Sequence, residues 1–120
     1  MKTKEEVKPA WIAALRSGDY EQGQHYMRKV PAGEHVPRYC CLGVLCDLVK
    51  DGFGEWETSL GSYISSFLLK EEVPTRASVF PPEGLSRSLT LNWDLKSKLA
   101  RMNDSGASFE EIADYIEENW

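Results

Sequence analysis

A chain of 120 residues is the size of one domain and can bury roughly two thirds of its unfolded surface; 42% apolar and 28% charged residues are globular values. Its net charge of -5, from 14 Lys and Arg against 19 Asp and Glu, argues against a broad phosphate-binding face, so direct DNA binding is not expected. No stretch approaches the roughly 18 apolar residues a membrane span needs, and the lysines of Met1 to Glu6 have no apolar region behind them, so a soluble, cytoplasmic protein is expected.

A first helix is expected from near Pro9, through Trp11, Ile12 and Leu15, to a left-handed stop at Gly18; Thr3 with Glu6 offers an earlier cap. From Asp19 to Arg38 the pattern weakens. Gln24 to Val30 reads as a short strand, with Pro31-Ala32-Gly33 turning the chain so that His35 to Arg38 returns as its partner. Tyr39 to Val49 is almost continuously apolar and holds all three cysteines, which predicts a helix over Arg38 to Lys50, closed by Asp51-Gly52. Such a helix belongs at the centre. Gly43 inside it costs about 1 kcal/mol relative to Ala, which makes sense if another element crosses close by.

Gly52 to Trp56 reads as a loop, and Leu60, Tyr63, Ile64, Phe67 and Leu68 recur at helical spacing, although Ser62 to Ser65 would also suit a strand. Three prolines, Pro74, Pro81 and Pro82, make Val73 to Gly84 a loop of defined shape, presenting Arg76, Val79 and Phe80. Asn92 caps a helix striped by Leu95, Leu99 and Met102, and Asn103 to Gly106 is turn chemistry. Ser108 and Glu111 form a capping box for a last helix with Phe109, Ile112, Ala113 and Ile116 on its apolar face. The expected fold is α+β and predominantly α: a central apolar helix packed by the N-terminal helix and a C-terminal helical hairpin, with a small β-hairpin. Its core should hold Trp11, Leu15, Cys41, Leu42, Leu45, Leu48, Leu99, Phe109, Ile112 and Ile116.

Chemistry-bearing motifs are scarce. The cysteines form no disulfide framework, and on one helix Cys46 lies more than about 100° around the axis from both Cys40 and Cys41, so they cannot share a metal. Neither His25 nor His35 is spaced to complete a zinc site, so no metal and no cofactor is expected. Standard phosphate-loop, nucleophile-elbow and metalloprotease signatures are missing, and a cysteine in an apolar helix is inert. A carboxylate pair of Asp104 with Asp19 or Glu55 would need spatial proximity that spacing does not reveal. The last helix carries Glu110, Glu111, Asp114, Glu117 and Glu118 without one Lys or Arg, which argues against a groove-reading helix-turn-helix.

Three blocks, Trp11 to Gln22 (WIAALRSGDYEQ), Tyr39 to Leu48 (YCCLGVLCDL) and Met102 to Glu117 (MNDSGASFEEIADYIE), resemble a family of small bacteriophage and prophage proteins. The resemblance covers roughly a third of the chain, leaves out Glu55 to Asn92, and implies a genomic setting without a catalytic residue. That setting suggests a counter-defence accessory protein that binds a host component. In one mechanism an acidic face with Glu110, Asp114 and Glu117, or the loop with Arg76 and Phe80, docks on a host bacterial protein. In the other, an oligomer sequesters a small phosphorylated ligand, with Arg28, Lys29 and Arg38 on phosphate and Tyr26, Tyr39 or Trp56 stacking on a base. A structural or regulatory phage protein acting through homo-oligomerisation and a small hydrolase of a signalling nucleotide are the alternatives.

Overall fold

The computed structural model describes residues 3–31, 33–34, 36–58, 64–70 and 75–120, with Thr75 and Arg76 described by their backbone alone. It is an α+β fold, predominantly helical, with α1 (Lys4–Ser17), β1 (Glu21–Gln22), β2 (Arg28–Lys29), β3 (Arg38–Tyr39), α2 (Cys41–Phe53) and β4 (Gly54–Thr58) in its first half. β5 (Ile64–Leu69), β6 (Thr75–Ala77), α3 (Glu83–Ser88), α4 (Trp93–Asp104) and α5 (Phe109–Asn119) follow.

The earlier of the two N-terminal caps operates. Thr3 accepts from the Glu6 amide, Pro9 sits inside α1 rather than opening it, and Gly18 ends the helix at φ 81°. The apolar cysteine segment is the central helix, starting at Cys41 rather than Arg38 and running through the expected Asp51-Gly52 stop to Phe53, with Cys41 to Cys46 and Val49 buried. Trp11 of α1 donates its indole N–H to the Cys41 carbonyl at 2.9 Å, and the Cys41 thiol faces the Leu99 carbonyl of α4 at 3.6 Å. The close crossing at Gly43 is real: a Cβ there would overlap the backbone carbonyl of Met27, just before β2.

The expected hairpin forms only in part, as two-residue strands: β2 inside the expected Gln24 to Val30 pairs antiparallel with β3, which begins at Arg38 where the expected partner ended, with Arg28 opposite Tyr39 and Lys29 opposite Arg38. It belongs to a larger sheet of order β1-β3-β2-β5-β4, in which β6 joins β5 on the same edge as β2. His35 and Ala32 of the hairpin reading lie outside the described residues.

Two expectations are corrected in the middle of the chain. The segment read as a helix is strand β5, where Ser65, Phe67 and Leu69 are buried in strict alternation. Helical spacing would have put Phe67 and Leu68 together, whereas a pleated strand points them to opposite faces; Leu60 and Tyr63 lie outside the described residues. The segment read as a loop is strand β4, whose Trp56 lies opposite Phe67 and packs edge-on against it, ring centroids 5.2 Å apart. The proline-rich stretch is less of a loop than expected as well: it holds β6, and buried Pro81 and Pro82 lead into α3. Residues 71–74, including Pro74, lie outside the described residues.

The C-terminal hairpin matches its sequence signals, with the Asn92 side chain accepting from the Leu95 amide and the Ser108–Glu111 capping box complete. All the expected core residues are buried except Leu48, which is half-buried at the edge of the core.

Candidate functional site

Successive residues of a strand point to opposite faces, so the β2–β3 pair divides the expected ligand residues into two groups. Arg28 and Tyr39 share the face that packs on α2, and Lys29 and Arg38 share the other.

On the first face Arg28 is consumed internally. Its guanidinium donates to the Ser65 hydroxyl at 2.6 Å and to the Tyr39 hydroxyl at 3.3 Å, and lies 5.9 Å from the ring centres of both Tyr39 and Trp56. Asp47 of α2 completes this cluster, accepting from the Tyr20 hydroxyl at 2.6 Å, the Trp56 indole at 3.1 Å and Lys50 at 3.2 Å. Burial, with the Asp47 carboxylate alongside, pushes the Tyr20 phenol far above its ordinary value, so it is held as a neutral donor. Arg28, Tyr39 and Trp56 therefore do come together, as parts of a structural network rather than as an open ligand cradle.

The second face is different. Lys29 and Arg38 line a pocket of about 360 Å³ with Gln22, Gly23 and Gln24 on one side and, on the other, Asn103 at the end of α4 with Gly106 and Ala107 of the α4–α5 turn. Arg38 is exposed and ion-paired to Glu34 at 3.3 Å; Lys29 has no acidic partner among the described residues. Two cations directly opposite each other across a strand pair repel, which costs stability unless something anionic sits between them.

Asn103 makes the pocket wall rigid. Read from sequence as turn chemistry, it is a fully buried residue in the last turn of α4. Its amide donates to the Gly23 carbonyl at 2.7 Å, while its side-chain oxygen accepts from Gln22 at 3.0 Å and from the Cys41 amide at 3.3 Å. The last of these satisfies an N–H in the first turn of α2, which Cys40 does not cap through its side chain. Gln22 also donates to the Ala107 carbonyl at 2.8 Å, so sheet, central helix and helical hairpin meet at this one corner. The sequence carried no signal for it beyond an Asn next to a turn.

The residues expected to dock a partner do not form one surface. Asp114 and Glu117 of α5 accept from Arg16 of α1 at 2.6 and 2.9 Å, so this part of the acidic face is spent on holding α1 to α5, and Glu110 stays exposed. Phe80 is half-buried against Trp93, ring centroids 4.8 Å apart; Trp93 is 58% exposed, and Val79, the chain neighbour of Phe80, is exposed as well. Arg76 lies in β6, with its side chain outside the description.

Burial raises all three thiols, pushing Cys40 up to about 11 and Cys41 and Cys46 well above their ordinary range, so none is a thiolate at neutral pH. His25 is tied to Asp104, which accepts from its amide at 2.8 Å and approaches its ring at 3.5 Å. Among the described residues no three His, Cys, Asp or Glu side chains gather as a metal site, and no helix is long and apolar enough to cross a membrane.

No curated protein and no solved structure matches the chain. The model of one family, described as a domain of unknown function (DUF8296), matches residues 1–120, and the chain belongs to that family.

Proposed function

We propose that this is a binding protein that sequesters a small phosphorylated ligand in the pocket beside Lys29 and Arg38. The setting is the one its resemblance to phage proteins implies: the host cytoplasm, and a nucleotide signal of the host's defence as the ligand. The observation that carries the reading is the opposed pair of cations, one without an acidic partner among the described residues, on the wall of a pocket of about 360 Å³. A phosphate between them would relieve their repulsion and accept charge-assisted hydrogen bonds from both. On the same wall both N–H groups of Gln22 are used by Asn103 and Ala107, which leaves its side-chain oxygen as an acceptor, and Gln24 supplies a second acceptor and a donor for a base or ribose. Nothing in this reading requires the bound molecule to be altered.

The test is equilibrium binding of nucleoside mono-, di- and triphosphates and of cyclic mono- and dinucleotides, followed by denaturation and mass analysis of what is released. Sequestration predicts saturable binding of at least one compound, its release intact, and a loss of affinity of at least tenfold in a Lys29→Glu, Arg38→Glu double variant. Hydrolysed product would assign the chain to the hydrolase class, and equal binding by the double variant would remove this pocket from the argument. A second reading, docking or self-association through an apolar surface, is favoured by the exposed Trp93 packed on Phe80. Native mass spectrometry separates the two, since one adds a small-molecule mass per subunit and the other a protein mass.

A further inference from the structure

A groove of about 640 Å³ lies where the last turns of α1 and the middle of α2 meet the strand β1 and the approach to β3. Ala13, Ala14 and Leu48 make part of its wall apolar, and Val36, 56% exposed, adds an apolar surface beside Pro37. Tyr20 and Tyr39 also line it, packed edge to face with ring centroids 5.0 Å apart. Asp19, Glu21 and Asp47 line the same groove, and among the described residues no Lys or Arg does. Asp47 is oriented by Tyr20, Trp56 and Lys50, and its side chain is 15% exposed, so its carboxylate is fixed rather than free to swing away.

An apolar wall, aromatic rings and carboxylates that outnumber the neighbouring cations, Lys50 on Asp47 and Arg38 opposite Glu21, suit an amphipathic positive side chain. Its methylenes cover the apolar surface, its head group meets the rings and acids, and arginine does this best because its planar, weakly hydrated guanidinium stacks on aromatic faces. A free polyamine shares the charge but has no side chain for Val36.

We propose that this groove docks a basic segment of a protein partner, seating an Arg or Lys side chain against Tyr20, Tyr39 and Asp47 and an apolar neighbour against Val36. Asp19 and Glu21, both exposed, attract that segment over longer range and make its arrival salt-dependent. This site adjoins the Lys29 and Arg38 pocket, with Glu21 opposite Arg38 across β1 and β3, but its proposed occupant does not depend on that pocket being filled.

The experiment is a selection of random dodecapeptides displayed against the full chain, followed by fluorescence anisotropy with the enriched peptides. The expected consensus holds an Arg or Lys next to an apolar residue. Ala13→Arg, at an exposed helical position that tolerates the change, should lower affinity at least tenfold by placing a like charge in the groove. An Asp19→Asn, Glu21→Gln variant should lower it several-fold and flatten the salt dependence. Failure to enrich any peptide, a consensus without a basic residue, or binding indifferent to Ala13→Arg would overturn the proposal. Displacement of the peptide by spermidine at matching affinity would also overturn it, reassigning the groove to a small polycation.

Discussion

Arg28 and Lys29 are neighbours in the chain, and the pleat of β2 sends them to opposite fates. Arg28 reaches Ser65, Tyr39 and Trp56 and closes a polar network beneath the sheet. Lys29 faces a pocket opposite a second cation, with no acid among the described residues to answer it. A basic residue is therefore informative about ligands only when the fold leaves it unanswered. Of the three cations expected to hold phosphate, one is structural and two converge.

The largest effect on this comparison should come from what holds β2 in place. Gly43 lets α2 lie directly against the Met27 backbone, and the next two residues are Arg28 and Lys29. Gly43→Ala must push helix and strand apart, which should cost about 3 kcal/mol in urea unfolding, despite the helix propensity gained. Both faces should suffer together, with ligand affinity falling alongside stability. A Gly43→Ala protein of unchanged stability would mean that β2 is not pinned there.

A second effect, confined to alkaline pH, distinguishes the buried side. All three thiols and the Tyr20 phenol have folded-state values raised above their ordinary ones of 9.0 and 10.0. Above about pH 9 for the thiols and about pH 10 for the phenol the unfolded chain loses these protons while the folded chain keeps them, so protons favour the native state and stability falls as pH rises. The contribution is complete below pH 9, and that of Cys40 is lost between there and about pH 11. Each thiol contributes a slope of up to about 1.4 kcal/mol per pH unit in that window. Denaturation midpoints at pH 8, 9 and 10 should fall progressively, and thiol labelling at pH 8 should be slow until the chain unfolds.

How much of this could be read beforehand depended on the range of the interactions. The caps at Thr3, Asn92 and Ser108 reach only three residues, and each appears in the structure as its residue types suggest. β1, β2 and β3 have two residues each, too few for any period, and β4 and β5 exist because they pair with each other across residues far outside a helical turn. The alternation of Ser65, Phe67 and Leu69 was present, but Ser65 is buried through Arg28, 37 residues away, so its polarity hid the pattern. Lys29 and Arg38 were legible as cations flanking a hairpin. Asn103 was not legible as the pocket wall, because its partner Gly23 is 80 residues away.

The sharpest test of the comparison is also the smallest in energy. Arg28→Ala removes two hydrogen bonds and the packing of a long stem between two aromatic rings, leaving the Tyr39 hydroxyl to find water and Ser65 with Thr58 alone. That should cost about 1 to 2 kcal/mol and leave affinity for a phosphorylated ligand within about twofold, once measured on folded protein. Lys29→Ala should do the reverse. Relieving the repulsion with Arg38 should leave stability unchanged or raise it by up to about 0.5 kcal/mol, while affinity drops about tenfold because half of the phosphate clamp is gone. Opposite signs in stability from adjacent positions are what a division of labour across one strand requires. If both substitutions destabilise equally, Lys29 is one more structural cation, and the pocket loses the free charge on which its function was argued.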